Sequence, residues 1–175
     1  LWGFTDETQH VPERAELEAA LPQVGVEQVL LSDDTASLRS GAAVDLGGIA
    51  KGYAAEQCVA VLEQSGATAA LLSLGGNIQT YGTKPDGSAW MIGIADPQQP
   101  EQAVASVAVT GTKALVTSGG YQRYFEVGGV RYHHILDPKT GYPAENGLAS
   151  VTIIADSGTL ADAYSTALFV MGLEK

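Results

Sequence analysis

Tyr132-His133-His134-Ile135-Leu136-Asp137-Pro138-Lys139-Thr140-Gly141-Tyr142-Pro143 carries an apolar strand with two histidines into an Asp-Pro-Lys-Thr-Gly turn. Strand side chains alternate faces, so Tyr132, His134 and Leu136 point one way and His133, Ile135 and Asp137 the other. Only one histidine can therefore face a given site. In its plainest form the segment is a hairpin arm closed by a type I turn, with Pro138 at the second position and Asp137 bonded to the local backbone. That form suits Asp137. It suits the histidines less, because imidazole titrates near neutrality and is the commonest proton carrier.

Working outward, residues 121–127 and 130–136 flank Gly128-Gly129, the two-residue signal of a β-hairpin. Further strands are predicted over 24–32 and around 37–39, joined by an Asp33-Asp34 turn, and over 68–74, 90–95, 104–109, 114–116 and 150–155. Thr117-Ser118-Gly119-Gly120 reads as a tight turn. Helices are expected over 12–21, ending at Pro22, and over 159–172, where Leu160, Tyr164, Ala167, Leu168 and Met171 form an apolar face and Gly172 is a stop. The class is α/β (α+β), with mixed or antiparallel sheets and packed helices.

A chain of 175 residues holds one good-sized core or two small halves packed together, and 1–175 reads as a single domain. The net charge of −11 repels nucleic acid and anionic membrane surfaces, so no nucleic-acid partner is expected. Lys113, Arg123, Arg131 and Lys139 are close in sequence. They either converge on an anionic ligand or are scattered solubilising charges, and the sequence leaves both open. The single cysteine, Cys58, excludes an internal disulfide and a cysteine-cluster metal site, and reads as helix core. No apolar run is long enough to span a bilayer. Leu1-Trp2-Gly3-Phe4 lacks the features of a signal peptide and reads as the inside of a fold, as though chain preceded it.

Two further segments point to chemistry. Ala43-Val44-Asp45-Leu46-Gly47-Gly48-Ile49-Ala50-Lys51-Gly52 reads as a short strand turning through two glycines into a helix. Ile49, Tyr53, Ala54, Val61 and Leu62 lie along one side of that helix and predict its buried face. Free N–H groups and missing Cβ atoms at such a helix start admit an anion, although the spacing is not that of a Walker or Rossmann loop. Asp45 would repel phosphate and points instead to a hydroxyl, an amide or a metal nearby. A second Leu-Gly-Gly stands at 74–76, followed by Asn77. Asp162 and Thr166, four apart on a helix, could offer two oxygens to a hard cation such as Mg²⁺. Thr159 and Asp162 also have capping-box spacing, and spacing alone favours the cap.

Five motifs in order resemble the ApbE-type FAD:protein FMN transferases. They are Val44-Asp45-Leu46-Gly47-Gly48-Ile49-Ala50-Lys51-Gly52-Tyr53-Ala54-Ala55, Leu74-Gly75-Gly76-Asn77, Thr117-Ser118-Gly119, His134-Ile135-Leu136-Asp137-Pro138-Lys139-Thr140-Gly141, and Ala161-Asp162-Ala163 with Ser165-Thr166-Ala167. The resemblance implies a tunnelling-type fold of two related halves, with FAD between them and Mg²⁺ at its pyrophosphate. It implies Asp162, Thr166 and the Gly48 carbonyl as metal ligands. Asp45, Lys51 and the backbone around Ile135 would contact the flavin cofactor. His134, directly before Ile-Leu-Asp-Pro, is the implied general base, and His133 a bystander.

The implied reaction transfers the FMN moiety of FAD to a threonine hydroxyl, releasing AMP. The implied acceptor is a flavoprotein subunit of a membrane redox complex. A Mg²⁺-dependent FAD pyrophosphatase and a non-catalytic flavin-binding module are the alternatives. The resemblance also implies an extracytoplasmic location and a family chain extending beyond both ends of this one.

Overall fold

In a computed structural model describing residues 1–6 and 8–174, the elements are α1 (Arg14–Ala20), β1 (Val29–Ser32), β2 (Thr35–Leu38), α2 (Ala50–Gln64), β3 (Ala69–Leu74), β4 (Asn77–Gly82), β5 (Trp90–Ala95), β6 (Ala103–Val109), β7 (Lys113–Gly119), β8 (Tyr124–Val127), β9 (Val130–His133), β10 (Ser150–Ala155) and α3 (Gly158–Met171). The strand pairs are antiparallel. The expected class, helices packed with antiparallel sheets, is the one observed. The chain divides into two compact units, Leu1–Asp45 with Gln122–Glu145, and Leu46–Tyr121 with Asn146–Lys175.

The first unit is organised on aromatic rings. Trp2, Leu17 and Phe125 form its buried core, with Phe4, Val11, Tyr132 and Leu136 against them. The Trp2 ring stands 5.5 Å from Tyr132 and 5.6 Å from Tyr142, and its Nε1–H donates to the Gly141 carbonyl at 2.9 Å. A buried indole thus keeps both its apolar contacts and its hydrogen bond. The expectation that Leu1–Phe4 belongs inside a fold holds for Trp2. Helix α1 starts after Pro12, and Glu16 reaches back to accept from the Glu13 N–H at 2.8 Å. Pro22 sits in a 3₁₀ turn, Leu21–Gln23, that follows the helix.

The β8–β9 hairpin turns through Gly128-Gly129 as predicted, both at positive φ. Its second arm stops at His133, so the pleat does not set the faces of residues 134–137. The turn beyond it is held by Asp137. Its Oδ1 accepts from Lys139 N at 2.8 Å, and its carbonyl accepts from Thr140 N and Gly141 N at 3.2 and 2.8 Å. Asp137 is a turn residue, as the local pattern indicated.

In the second unit a four-stranded sheet, β10-β7-β4-β3, lies between two layers. Along β7, Ala114 and Val116 pack with Ala161 of α3, while Leu115 packs with Ile92 and Val109 of the β5–β6 hairpin. The period of two therefore turns Ser118 toward the helices. On β4, Ile78 packs with the hairpin residues, so Asn77 and Gln79 also face the helices. Helices α2 and α3 approach at two glycines: a Cβ on Gly52 would lie 2.1 Å from the Gly158 carbonyl oxygen.

That approach overturns several expectations. The buried residues of α2 include Gly52 and Ala55, whereas Tyr53 and Val61 of the predicted face are exposed. Cys58 is exposed as well. On α3 the buried residues are Gly158, Ala161, Asp162, Ser165 and Phe169. The predicted core face, Leu160, Tyr164, Ala167, Leu168 and Met171, is exposed, with Leu160 at 53% and Tyr164 at 54%. Where the backbones cross this closely only small side chains fit between them, so Leu160, Tyr164, Leu168 and Met171 turn outward, while Phe169, further along α3, is buried. Residues 43–46 form no strand, and 117–119 belong to β7 and not to a turn. Among the described residues no helix is long and apolar enough to cross a membrane.

Candidate active site

The capping-box reading of Asp162 is the first to fall. Ser157 caps α3, its hydroxyl accepting from Leu160 N at 3.1 Å. Thr159 is engaged elsewhere: its Oγ1 donates to Glu56 Oε2 of α2 at 2.6 Å, and its N–H donates to Oε1 at 3.3 Å. Burial pushes the Glu56 carboxyl up, but the bonds from Ser157 and Thr159 outweigh it and hold the group below the usual glutamate value. Asp162 is 3% exposed, and its Oδ2 accepts from Gly52 N at 2.8 Å. A buried carboxyl group held by a backbone N–H of a neighbouring helix is a fixed pair of oxygens, not a helix cap.

Thr166 stands one turn further along α3. Its Oγ1 lies 3.0 Å from Ser118 Oγ of β7, and Ser118 Oγ lies 2.8 Å from Ser165 Oγ. Ser165 in turn donates to the Asp162 carbonyl at 2.9 Å. Gly48 is in the turn before α2, where Ile49 N and Ala50 N both donate to the Leu46 carbonyl. A Cβ on Gly48 would meet nothing within 4 Å, so there is open space beside this backbone. Lys51 extends past the second Leu-Gly-Gly turn, its Cδ 3.9 Å from where a Cβ on Gly75 would stand. Four of the five motifs thus come together within the second unit, through the hydrogen bonds of Gly52 with Asp162 and Ser118 with Thr166 and the approach of the Lys51 side chain to the Gly75 backbone.

The fifth motif and Asp45 belong to the first unit. His134 Nδ1 is 3.0 Å from the Arg123 carbonyl oxygen, which also accepts from His134 N at 3.1 Å. A carbonyl cannot donate, so Nδ1 carries the proton and Nε2 is the basic nitrogen. His133 is half-buried, and its Nδ1 accepts from Ile135 N at 3.3 Å. Burial lowers its pKa below the ordinary imidazole value, opposed by the Ala144 backbone and Glu145. Ile135 is buried and its carbonyl accepts from Ala144 N at 3.0 Å. Asp45 is exposed. The cleft beside the turn is lined by Tyr132, Asp137, Thr140, Tyr142, Pro143 and Glu145. With two carboxylates and no cation, it does not suit a phosphate.

The four basic residues split. Lys113 pairs with Asp156 in the second unit, and Arg131 pairs with Glu126 at 3.3 Å and lies over the Tyr124 ring in the first. Those two are neutralised where they stand. Among the described residues no group of three His, Cys, Asp or Glu side chains could hold a metal. A cation in the second unit would instead take one carboxylate, one hydroxyl and a backbone carbonyl, with water in the remaining places. That all-oxygen, partly hydrated set suits Mg²⁺. Sequence reasoning missed the close-approach glycines Gly52 and Gly158, the Glu56 carboxylate and the Ser118–Ser165 hydroxyl pair. The cluster of small residues on both helices was the available signal.

The ApbE family profile matches residues 1–175. The FAD:protein FMN transferase of Klebsiella pneumoniae (strain 342) is 39% identical over all of this chain and 54% of its own length. The crystal structure of the ApbE protein from Thermotoga maritima MSB8 superposes with a TM-score of 0.90 at 45% identity, over 98% of this chain and 56% of that one. The apo flavinyl transferase ApbE of Pseudomonas stutzeri gives a TM-score of 0.82 at 36% identity, over 99% and 54%. The chain spans about half the length of the curated relatives it matches. On profile, identity and fold alike, it belongs to the ApbE family.

Proposed function

We propose that this chain takes part in Mg²⁺-dependent transfer of the FMN moiety of FAD to a threonine hydroxyl of a target flavoprotein, releasing AMP. The observation that carries the reading is the buried Asp162, fixed by Gly52 N, with the Thr166 hydroxyl one turn away and open backbone at Gly48. Asp162, Thr166 and the Gly48 carbonyl hold the cation. When bound, Mg²⁺ neutralises charge on the pyrophosphate and orients it for in-line attack. Lys51, at the start of α2, supplies a further positive charge, and Asp45 and the backbone at Ile135 contact the flavin.

His134 takes the proton. With Nδ1–H committed to the Arg123 carbonyl, Nε2 is the atom that accepts it from the acceptor threonine as that oxygen attacks the FMN-side phosphorus. One P–O bond forms to threonine, the bond from that phosphorus to the bridging oxygen breaks, and the bridging oxygen leaves as part of AMP. A positioned base of this kind contributes roughly 10²–10⁴-fold. The acceptor is a flavoprotein subunit of a membrane redox complex, met outside the cytoplasm.

The test is mass spectrometry of a threonine-bearing flavoprotein acceptor after incubation with the protein and FAD, with Mg²⁺ or with EDTA. A mass gain equal to an FMN phosphoester, seen only with the metal and lost in His134→Ala, supports transfer. Free FMN and AMP with an unlabelled acceptor would make the enzyme a pyrophosphatase. Intact FAD that still binds would leave a flavin-binding module and contradict turnover.

A further inference from the structure

We infer that Ser118 is a positioning residue that orients the Thr166 hydroxyl toward the cation, through a one-way chain of protons running Thr166 to Ser118 to Ser165 to the Asp162 carbonyl. The inference rests on the metal reading above and adds to it the residue that makes Thr166 a competent ligand.

The direction of the chain follows from the hydroxyl inventory. Each serine or threonine hydroxyl has one proton to give and two lone pairs to receive with. The Asp162 carbonyl can only accept, so the 2.9 Å contact from Ser165 Oγ uses the Ser165 proton. At 2.8 Å from Ser118 Oγ, Ser165 must then be the acceptor, which uses the Ser118 proton. Ser118 in turn accepts at 3.0 Å from Thr166 Oγ1. The Thr166 proton therefore points inward at Ser118, and its oxygen presents lone pairs on its remaining sides.

A neutral alcohol ligates a hard cation through a lone pair, and its proton needs an acceptor on the far side. Ser118 is that acceptor. Ser165 is fully buried and Ser118 extends from β7, whose Ala114 and Val116 pack against α3, so the relay is held by the sheet and does not depend on solvent. The same relay ends on the main-chain carbonyl of Asp162, so the Thr166 hydroxyl is tied to the backbone of the residue whose carboxylate Gly52 N holds. Removing a group of this sort beside a metal typically costs 10–100-fold in metal affinity.

The experiment titrates Mn²⁺ into the purified protein by electron paramagnetic resonance, without FAD or acceptor, and records thermal melts in EDTA. Ser118→Ala is expected to weaken Mn²⁺ binding by about tenfold or more, while Ser118→Thr, which keeps the hydroxyl, restores it. Asp162→Asn and Thr166→Val run alongside. If both of these lose Mn²⁺ while Ser118→Ala binds as the wild type does, the positioning role is overturned and the metal site stands. If Asp162→Asn and Thr166→Val bind like the wild type, the metal reading itself fails and the positioning role with it. Weakened binding in Ser118→Thr equal to that in Ser118→Ala would make the effect one of packing, and would also overturn the inference.

Discussion

Helix α3 has two faces that exchange the usual roles. Toward the sheet and α2 it presents Gly158, Ala161, Asp162, Ser165 and Phe169; outward it presents Leu160, Tyr164, Leu168 and Met171. An amphipathic helix ordinarily buries its large apolar stripe. Here the close contact at Gly52 and Gly158 selects small residues where the helices cross, and the carboxylate and hydroxyls buried there hydrogen-bond to α2, to β7 and within α3 itself. The lesson is that a polar inner face is kept where oxygens are to be held in fixed positions.

The contrast predicts a gradient of mutational effects. The largest is expected at the crossing. Gly52→Val places atoms inside the van der Waals radius of the Gly158 carbonyl and should destabilise by about 3 kcal/mol or more, read as the loss of the cooperative melt. A melt within a degree of the wild type would mean that the helices do not touch as described.

Next comes the buried carboxylate. Asp162→Ala orphans the Gly52 N–H and should cost about 1–3 kcal/mol in chemical denaturation. Asp162→Asn keeps an acceptor oxygen for that N–H, so it should recover most of the stability and none of the cation binding. Equal denaturation midpoints for the two variants would remove the Gly52 bond from the account.

Smaller, and dependent on pH, is Glu56. Its folded value is depressed, so the unfolded state binds the proton more readily; stability rises with pH through this window and is fully present above the unfolded value. Glu56→Gln should therefore melt below the wild type at neutral pH. The two curves should converge as pH falls through the folded value. Parallel curves across the acid range would show that the carboxylate does not cap the start of α3. The smallest effect belongs to the outer face, where Leu160→Ser should change stability by only about 0.5 kcal/mol; a loss several times larger would mean that the face is packed.

Legibility in the sequence followed how local each feature is. Gly128-Gly129 marked a hairpin because two positive-φ residues between apolar arms admit few other structures. Asp137 announced its turn because its carboxylate bonds the backbone two residues on. The two Leu-Gly-Gly copies show the limit of such signals. Gly75 and Gly76 take positive φ between paired strands, whereas Gly47 and Gly48 lead into α2, and the residues that follow each copy decide the difference.

The faces of α2 and α3 differ from those that periodicity predicts because periodicity counts large apolar residues. It cannot register that a glycine 110 positions from Asp162 brings the two helices into contact. The Thr159–Asp162 spacing misled for the same reason. Thr159 donates to Glu56 of another helix, a partner no local pattern displays. The motif residues that come together in the second unit stand out by resemblance, Ser118 among them, but its contacts with Ser165 and Thr166 depend on the β7–α3 packing.

The cation site is measured most directly by the anomalous difference map of a crystal grown with Mn²⁺ in place of Mg²⁺. One strong peak is expected about 2.1 Å from an Asp162 carboxylate oxygen and within bonding distance of Thr166 Oγ1 and the Gly48 carbonyl. Density confined to surface carboxylates, with none between Asp162 and Thr166, would contradict it.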